Sequence, residues 1–356
     1  MLMQHSLAPI ACKPWTLSGL SERLIVSHYE NDYGAAVRSL NAIRAHLEVR
    51  AVADVSPYQL LAMKREELAA MNSVFLHELY FGSLGGDGGV LFTGSGHGTR
   101  MLEPISAAVV QQFGGVAKWR QEFAALAEAL SHGSGWAVLS YSRRDGRLYN
   151  QIAIDHSNAM IDAVPLIALD MYEHAYHLDF GANASAYIDA FMRNIDWGVV
   201  NGRFAEARGA RTVNTNDDRG DPLPSVSVEE LSAQLAAGER IQVLDARPKH
   251  YFSRSSDMMH GASWHDPDRI DEWSATLSAD APVFVYCAYG FAVGCGVTAT
   301  LRERGFDARY VRGGLSAWYA AGGERALKPP PPNSVWSQPD PDDKRTDPLA
   351  GHPENV

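Results

Sequence analysis

Cysteine is scarce in this sequence, with Cys12 near the start and Cys287 and Cys295 near the end of 356 residues. So few thiols exclude a small secreted scaffold held together by disulfides. No apolar run approaches the roughly 18 residues that a transmembrane helix needs. The N-terminus also lacks the basic and apolar segments of a signal peptide. We therefore expect a cytoplasmic protein without a membrane partner.

Positive charge is the second shortage, with 31 Lys and Arg residues against 42 Asp and Glu, a net charge of −11. This balance argues against nucleic acid or an anionic membrane as the main partner. Apolar residues make up 46% and charged residues 21%, which is ordinary for folded protein. At roughly 100–200 residues per domain, the length predicts two or three domains.

The spacing of apolar residues predicts an α+β domain in the first 200 residues. Apolar positions at helical spacing predict helices over residues 17–48, 56–83, 101–131 and 184–195. Three short apolar segments predict strands over residues 136–141, 147–154 and 163–170. Helices followed by a small sheet are typical of the α+β class, and we place this domain at residues 6–207.

A second domain is predicted after a polar segment. Residues 208–224 are rich in Asn, Asp, Gly and Pro, which is typical of a linker. Strands and helices then alternate over residues 225–325, as in a small α/β domain with a parallel sheet. Residues 326–356 are rich in proline and poor in apolar side chains, so we expect a disordered tail there.

Asp170 and His174 stand four residues apart, a spacing that brings two side chains to one face of a helix. A carboxylate and an imidazole so placed can bind a metal ion, although the same spacing also arises by chance or in structural pairs. Two further histidines, His28 and His77, lie upstream in helical segments. Together they offer three imidazoles and a carboxylate.

Several motifs around these residues resemble the iron/manganese superoxide dismutases. The resemblance covers residues 6–207 and begins at the Leu-Ala-Pro-Ile run. The matching motifs are His28 with Val37-Arg-Ser-Leu-Asn-Ala-Ile43, His77 with Leu79-Tyr80-Phe81, Gly133-Ser134-Gly135-Trp136, Asp170-x-x-Glu173-His174-Ala175-Tyr176 and Asn194-x-x-Trp197. The resemblance implies a helical hairpin joined to an α/β part with a small sheet.

The same resemblance implies a reaction and a cofactor. His28, His77, Asp170 and His174 would bind one Mn or Fe ion per chain, and superoxide would be converted to oxygen and hydrogen peroxide. Three imidazoles and a carboxylate suit Fe or Mn, whereas structural zinc sites favour cysteine. The family further implies a homodimer or homotetramer assembled through this domain.

Neighbours of the metal site are also assigned by the resemblance. Trp136 would line the metal pocket, and Glu173 would pair with His174 of the partner subunit. His156 stands where many members have a Gln that holds the metal-bound solvent, and an imidazole N–H can make the same contact. A surface histidine is the alternative for His156.

Two positions depart from the family pattern. Ala36 replaces the usual gateway Tyr, which removes a phenol that orders solvent. Asp32 replaces a His that usually reaches the neighbouring subunit's Tyr, here Tyr176. A carboxylate can also bond a phenol, so the altered pair is compatible with the same subunit contact. These changes raise an alternative function: a catalytically impaired dismutase fold acting as a metal-binding or oligomerisation scaffold.

Cys287 follows an apolar strand and precedes a helix, the place where α/β folds bind anions through loop N–H groups. Such a position favours the reactive thiolate, and a buried structural cysteine is the alternative. The segment 225–324 resembles the rhodanese sulfurtransferases. The matching motifs are Asp245-Ala-Arg247, His260-Gly-Ala, Cys287 and Gly313-Gly-Leu-Ser-Ala-Trp318. Cys287 would carry a sulfur atom taken from a sulfane-sulfur donor.

This loop also departs from its family. Ala292 stands where many members have an Arg, and Val293 excludes the Cys-x₅-Arg loop of phosphatases. Cys295 could form a disulfide with Cys287, or it could be a packed core thiol. In the alternative function, the second domain would be a sulfur-relay or redox-sensing module.

Overall fold

The computed structural model describes residues 4–49, 55–85, 104–158, 161–209 and 223–328. Most of the predicted linker, residues 210–222, and most of the predicted tail, residues 329–356, lie outside these described residues. Within them, no helix combines the length and apolar character needed to cross a membrane.

The first domain is a helical hairpin followed by an α/β part. Its elements are α1 (Glu22–Ser27), a π-helical turn (His28–Tyr33), α2 (Gly34–Val49), α3 (Pro57–Phe81), α4 (Ile105–Phe113), α5 (Val116–Leu130), β1 (Trp136–Ser142), β2 (Arg147–Ala153), β3 (Ala163–Asp170), α6 (His177–Phe180), α7 (Ala184–Arg193) and α8 (Trp197–Ala207). The strands form an antiparallel sheet in the order β2-β1-β3. The expected fold class of this domain is confirmed.

Local sequence explains where these helices begin and end. Ser56 and Pro57 start α3, because the Ser56 side chain caps the helix and Gln59 completes a capping box. The single helix predicted over residues 101–131 is wrong. Gly114 and Gly115 have φ of 76° and 143°, and this pair separates α4 from α5. Helix α8, which was not predicted, begins at the Asp196 cap.

The second domain is built around a five-stranded sheet in the order β4-β9-β8-β5-β7. Its elements are β4 (Ser225–Val226), α9 (Val228–Ala236), β5 (Gln242–Asp245), α10 (Lys249–Arg254), β6 (Asp257–Met259), β7 (Ser263–Trp264), α11 (Ile270–Trp273), β8 (Val283–Tyr286), α12 (Ala292–Glu303), β9 (Ala308–Val311), α13 (Gly314–Ala320) and β10 (Arg325–Leu327). The pairs within this sheet are parallel, as predicted. Strand β10 pairs with β6 and spans the predicted boundary between this domain and the tail.

The two domains contact each other through the π-helical turn and α13. The Ser316 hydroxyl donates a hydrogen bond to Glu30, 3.0 Å away, and Arg325 lies 3.4 Å from the same carboxylate. Gly34 permits close approach, because a Cβ atom there would lie 2.5 Å from the Ala320 carbonyl oxygen. Arg38 donates to that carbonyl. The second domain therefore rests on the turn that begins with His28.

Candidate metal centre and sulfur site

Four side chains from separate elements converge inside the first domain. His28 opens the π-helical turn, His77 lies near the end of α3, Asp170 ends β3, and His174 lies in the 3₁₀ turn Glu173–Ala175. One ligand atom from each lies within 4.8 Å of all the others. His28, His77 and Asp170 are buried, whereas the His174 side chain is 32% exposed. The group therefore has one side that faces solvent.

The orientation of His77 is fixed by its own helix. Its Nδ1–H donates to the Ser73 carbonyl, 2.7 Å away, one helical turn earlier. Its Nε2 atom is buried, has no hydrogen-bond partner in the described parts of the chain, and lies 3.7 Å from Asp170 Oδ2. Burial, with a smaller contribution from His28, lowers the pKa of His77 to about 3. A neutral imidazole with a free, buried nitrogen is the state that a metal ion requires.

Asp170 supplies the negative charge of the group. Its Oδ2 atom lies 3.2 Å from His28 Nε2 and 3.1 Å from His174 Nε2, and its Oδ1 atom accepts the Tyr172 N–H at 2.9 Å. Burial acts to raise the pKa of Asp170, but the hydrogen bonds from His174 and His28 outweigh it and hold that pKa below its usual range. The carboxylate is therefore ionised. The donor set fits a hard or borderline divalent or trivalent ion such as Fe or Mn.

Aromatic rings enclose this group on one side. Strand register pairs Trp136 with Asp170, and the Trp136 ring lies 5.1 Å from His77. Tyr172 stacks on His156 and on His174, with centroids 5.2 and 5.6 Å apart. His156 Nε2 is buried without a partner among the described residues, and burial lowers the His156 pKa. The structure thus packs Trp136 against His77, and His156 against Trp136 and Tyr172.

The residues expected at a subunit contact lie differently. The Tyr176 ring is 3% exposed and stacks on Tyr187 inside its own protomer, with centroids 5.2 Å apart. The contact of Tyr176 with Asp32 of a neighbouring subunit stays a prediction. Asp32 Oδ1 instead lies 3.6 Å from His174 Nδ1 of the same chain. Glu173 is exposed beside His174.

The second domain holds a buried ion pair beside the candidate sulfur site. Arg247 donates through Nε and Nη2 to both carboxylate oxygens of Asp245, at 2.6–3.0 Å. Arg247 Nη1 also donates to Ser255 Oγ, and Nη2 donates to the Asp257 carbonyl. Every edge of the guanidinium therefore has a partner, as a buried charge requires. Asp245 and Arg247 therefore form a structural ion pair at the end of strand β5.

Cys287 lies at the carboxyl end of β8, at the start of the loop that leads into α12. The residue is 6% exposed, and its Sγ atom lies 4.0 Å from the Phe291 carbonyl. Leu315 N–H donates to the Cys287 carbonyl at 2.9 Å, so the Gly313-Gly314 turn holds the loop from below. Cys295 Sγ lies 3.8 Å from the Gly290 carbonyl, which places both thiols against one loop.

The first domain covers part of this loop. Tyr289 stacks on Trp15, with centroids 5.7 Å apart, and its hydroxyl donates to Glu22. Tyr251 donates to the same carboxylate. A cleft of about 190 Å³ remains between the domains, with Glu30 on one wall and Tyr319 on the other. Access to the Cys287 loop is therefore limited by the first domain.

Both domains match families of known proteins. Residues 102–203 match the family model of the C-terminal domain of iron/manganese superoxide dismutases. An iron superoxide dismutase of Cupriavidus metallidurans is 50% identical over 205 residues, which are 58% of this chain and 98% of that protein. The chain belongs to the iron/manganese superoxide dismutase family. Residues 227–321 match the rhodanese-like domain, so the dismutase-family domain carries a rhodanese-like extension.

Less similar members of the family are named as iron enzymes or as manganese enzymes. An iron superoxide dismutase of Aquifex pyrophilus is 35% identical over 204 residues, 56% of this chain and 90% of that protein. A manganese superoxide dismutase of Mycolicibacterium smegmatis is 31% identical over 183 residues, 51% of this chain and 82% of that protein. Similarity alone therefore does not choose between iron and manganese.

Three contacts at these sites were not anticipated from the sequence. They are the Tyr172 ring stack, the approach of Asp32 to His174 within one chain, and the cover that Glu22 and Trp15 place over the Cys287 loop. A role for Tyr172 at the site could have been predicted, because this residue lies between two proposed ligands in the sequence. The domain contact had no sequence signal, because its partners are more than 200 residues apart.

Proposed function

We propose that the dismutase-family domain converts superoxide to oxygen and hydrogen peroxide, with one Fe or Mn ion per chain bound by His28, His77, Asp170 and His174. The observation that carries the proposal is the convergence of these four donors around the buried, unpartnered Nε2 of His77. The 50% identity to an iron superoxide dismutase supports the same reaction.

The protein prepares the site in three ways. A bound Fe or Mn ion supplies one-electron redox chemistry, which the side chains alone lack. Ser73 keeps His77 in the tautomer that presents a free Nε2, and the ionised Asp170 balances part of the ion's charge. We further propose that His156, whose ring packs on Trp136 and Tyr172, holds a solvent molecule through Nε2 and transfers a proton.

Elemental analysis joined to a superoxide assay tests this proposal. We expect near one Fe or Mn atom per chain in the purified full-length protein, and dismutase activity that follows the metal content. His77→Ala and Asp170→Ala should abolish both, whereas His132→Ala, at an exposed histidine, should change neither. A protein that takes up no Fe or Mn, even when refolded with either ion, would refute the proposal.

Several finer statements belong to the same proposal. Reconstitution with Fe and with Mn in parallel would identify the active metal, since both share the same ligands. We also propose assembly as a homodimer or homotetramer through this domain, which light scattering can measure. A cytoplasmic location and the division at residues 6–207, 208–224 and 225–325 stay predictions.

For the rhodanese-like domain we propose sulfur transfer through Cys287. Its place at the carboxyl end of β8, in a loop held by two glycines, supports this role. The thiolate would attack a sulfane-sulfur donor, keep the outer sulfur as a persulfide, and release the remainder of the donor with the bonding electron pair. Thiosulfate:cyanide transfer by the full chain tests it, with loss expected for Cys287→Ser and retention for Cys12→Ser.

Ala36 and Ala292 motivate the second candidate function, an impaired dismutase fold that serves as a scaffold for sulfur relay. Each replaces a polar side chain expected from the family. A fully metallated protein that is inactive toward superoxide but still transfers sulfur would favour this candidate. A metallated protein with dismutase activity would exclude it.

A further inference from the structure

The loop that follows Cys287 packs against the first domain. Tyr289 is 6% exposed and belongs to the same buried apolar cluster as the core of the first domain. Ala288 and Phe291 pack against that cluster as well. Three of the four residues after Cys287 therefore make contacts between the domains, and the fourth is Gly290.

Trp15 and Glu22 hold this loop from the side of the first domain. The Trp15 ring lies 5.7 Å from the Tyr289 ring and 6.0 Å from the Phe291 ring. Glu22 accepts hydrogen bonds from the hydroxyls of Tyr289 and Tyr251, and these two hydroxyl oxygens lie 3.0 Å apart. Hydrogen bonds to a carboxylate are stronger than those between neutral groups, so this contact resists opening.

Small cavities flank the loop on two sides. The cleft of about 190 Å³ between the domains is lined by Ala288 and Tyr289, the two residues after Cys287. A cavity of about 280 Å³ is lined by Ala292 and Val293 at the start of α12. Cavities for drug-sized ligands run from about 300 to 1,000 Å³. Both spaces therefore suit a smaller molecule, such as an inorganic sulfur anion or a thiol of low molecular weight.

A protein that donates or accepts sulfur needs more room than these cavities offer. Its cysteine has to bring a sulfur atom into contact with Cys287 Sγ, and the backbone on both sides of that cysteine comes with it. A typical protein–protein contact covers about 800 Å² on each partner. Cys287 is 6% exposed, and Trp15 and Glu22 already occupy the surface of the loop beside it.

We propose that Cys287 exchanges sulfur with small molecules only, because the first domain closes the site to proteins that carry a thiol or a persulfide. This inference rests on the proposed sulfur transfer and names its substrate class. With thiosulfate, the Cys287 thiolate takes the outer sulfur, and sulfite leaves with the bonding electron pair. Cyanide then takes that sulfur from the persulfide, which forms thiocyanate and restores the thiolate.

Alkylation by maleimides of two sizes tests the closure in the full-length protein. N-ethylmaleimide should modify Cys287 in the folded chain, whereas a polyethylene glycol maleimide of protein size should do so only after unfolding in urea. Peptide mapping by mass spectrometry separates Cys287 from the other cysteines.

The double variant Trp15→Ala/Glu22→Ala should open the site. Its folded chain should react with the large maleimide about tenfold faster or more, because the loss of hydrogen bonds to a charged group shifts a local opening equilibrium by such a factor. Tyr58→Ala/Glu66→Ala is the matched control. It removes an exposed ring and an exposed carboxylate from α3, and no change is expected.

Sulfur transfer from the Cys287 persulfide gives a second readout. The wild type should pass sulfur to cyanide, and only the opened variant should pass it to a folded protein with one exposed thiol. Equal reaction of the folded wild type with both maleimides, or wild-type transfer to the protein thiol, overturns this inference and leaves the proposed sulfur transfer intact. Failure of N-ethylmaleimide to modify the folded chain also overturns it, since small molecules would then be excluded too. A wild type that N-ethylmaleimide modifies but that transfers no sulfur from thiosulfate to cyanide overturns the proposed sulfur transfer and this inference together.

Discussion

Gly314 offers a test of how the sulfur-site loop is held. Its φ is +58°, and a Cβ atom there would lie 2.3 Å from the Cys287 carbonyl oxygen and 2.6 Å from the Gly290 nitrogen. Both atoms are backbone, so they cannot move aside as a flexible side chain would. Gly314→Ala therefore carries two costs, about 1–2 kcal/mol for the left-handed backbone and about 1–3 kcal/mol for overpacking.

Gly238 provides the matched control. Its φ is +70°, yet a Cβ there would meet no atom of the described residues within 4 Å, so Gly238→Ala carries only the backbone cost of about 1–2 kcal/mol. We expect urea unfolding, followed by tryptophan fluorescence, to show a loss of about 2–5 kcal/mol for Gly314→Ala. Native-state alkylation of Cys287 should also become faster. Equal destabilisation by the two variants, with unchanged alkylation of Cys287, would refute the steric argument.

Two further predictions concern charge. Burial, partly offset by Ser316 and Arg325, raises the pKa of Glu30 from its ordinary value of 4.5 to about 7. The folded chain then binds more protons than the unfolded chain between these pH values, so the free energy of unfolding should fall as pH rises from about 4.5 to 7. Glu30→Gln should flatten that slope in urea titrations. Burial, with a contribution from Cys287, raises the pKa of Cys295. Iodoacetamide should therefore modify Cys295 more slowly at pH 8 than a free cysteine, and Cys287→Ser should speed the reaction; an unchanged rate in mass spectrometry would contradict the coupling.

A third prediction concerns the two thiols. Because Cys287 and Cys295 both face the same loop, peroxide is expected to link them, and Cys295→Ser should leave Cys287 to oxidise further. Peptide mapping by mass spectrometry decides this. Absence of the linked peptide after peroxide treatment would exclude the pairing.

The sequence determined the order of elements in both domains through local signals. Short apolar segments marked the three strands of the first domain, and Ser56-Pro57 marked the start of α3. The predicted helix boundaries were wrong where helix-breaking residues interrupt an apolar pattern of helical period. The Gly114-Gly115 pair interrupts one apolar pattern that otherwise reads as a single helix. Strand β10 was missed because three residues carry too little pattern, and only pairing with β6 defines it.

The candidate ligands could be named from sequence because their residue types and order are specific. The geometry of these ligands could not be predicted from the sequence. His28 and Asp170 are 142 residues apart, and only the packing of the π-helical turn against the end of β3 brings them within 3.2 Å. The burial that lowers the His77 pKa likewise depends on neighbours from several elements.

The sequence alone carries three properties. They are the shortage of cysteine and of positive charge, the two-domain division and the metal-binding residue types. The tertiary structure decided what surrounds those residues: that Asp32 approaches His174 within its own chain, that Tyr176 is buried beside Tyr187, and that the first domain covers the Cys287 loop. Local patterns report periodicity and backbone preference. They carry no information on which distant side chains meet, because that depends on how the completed elements pack.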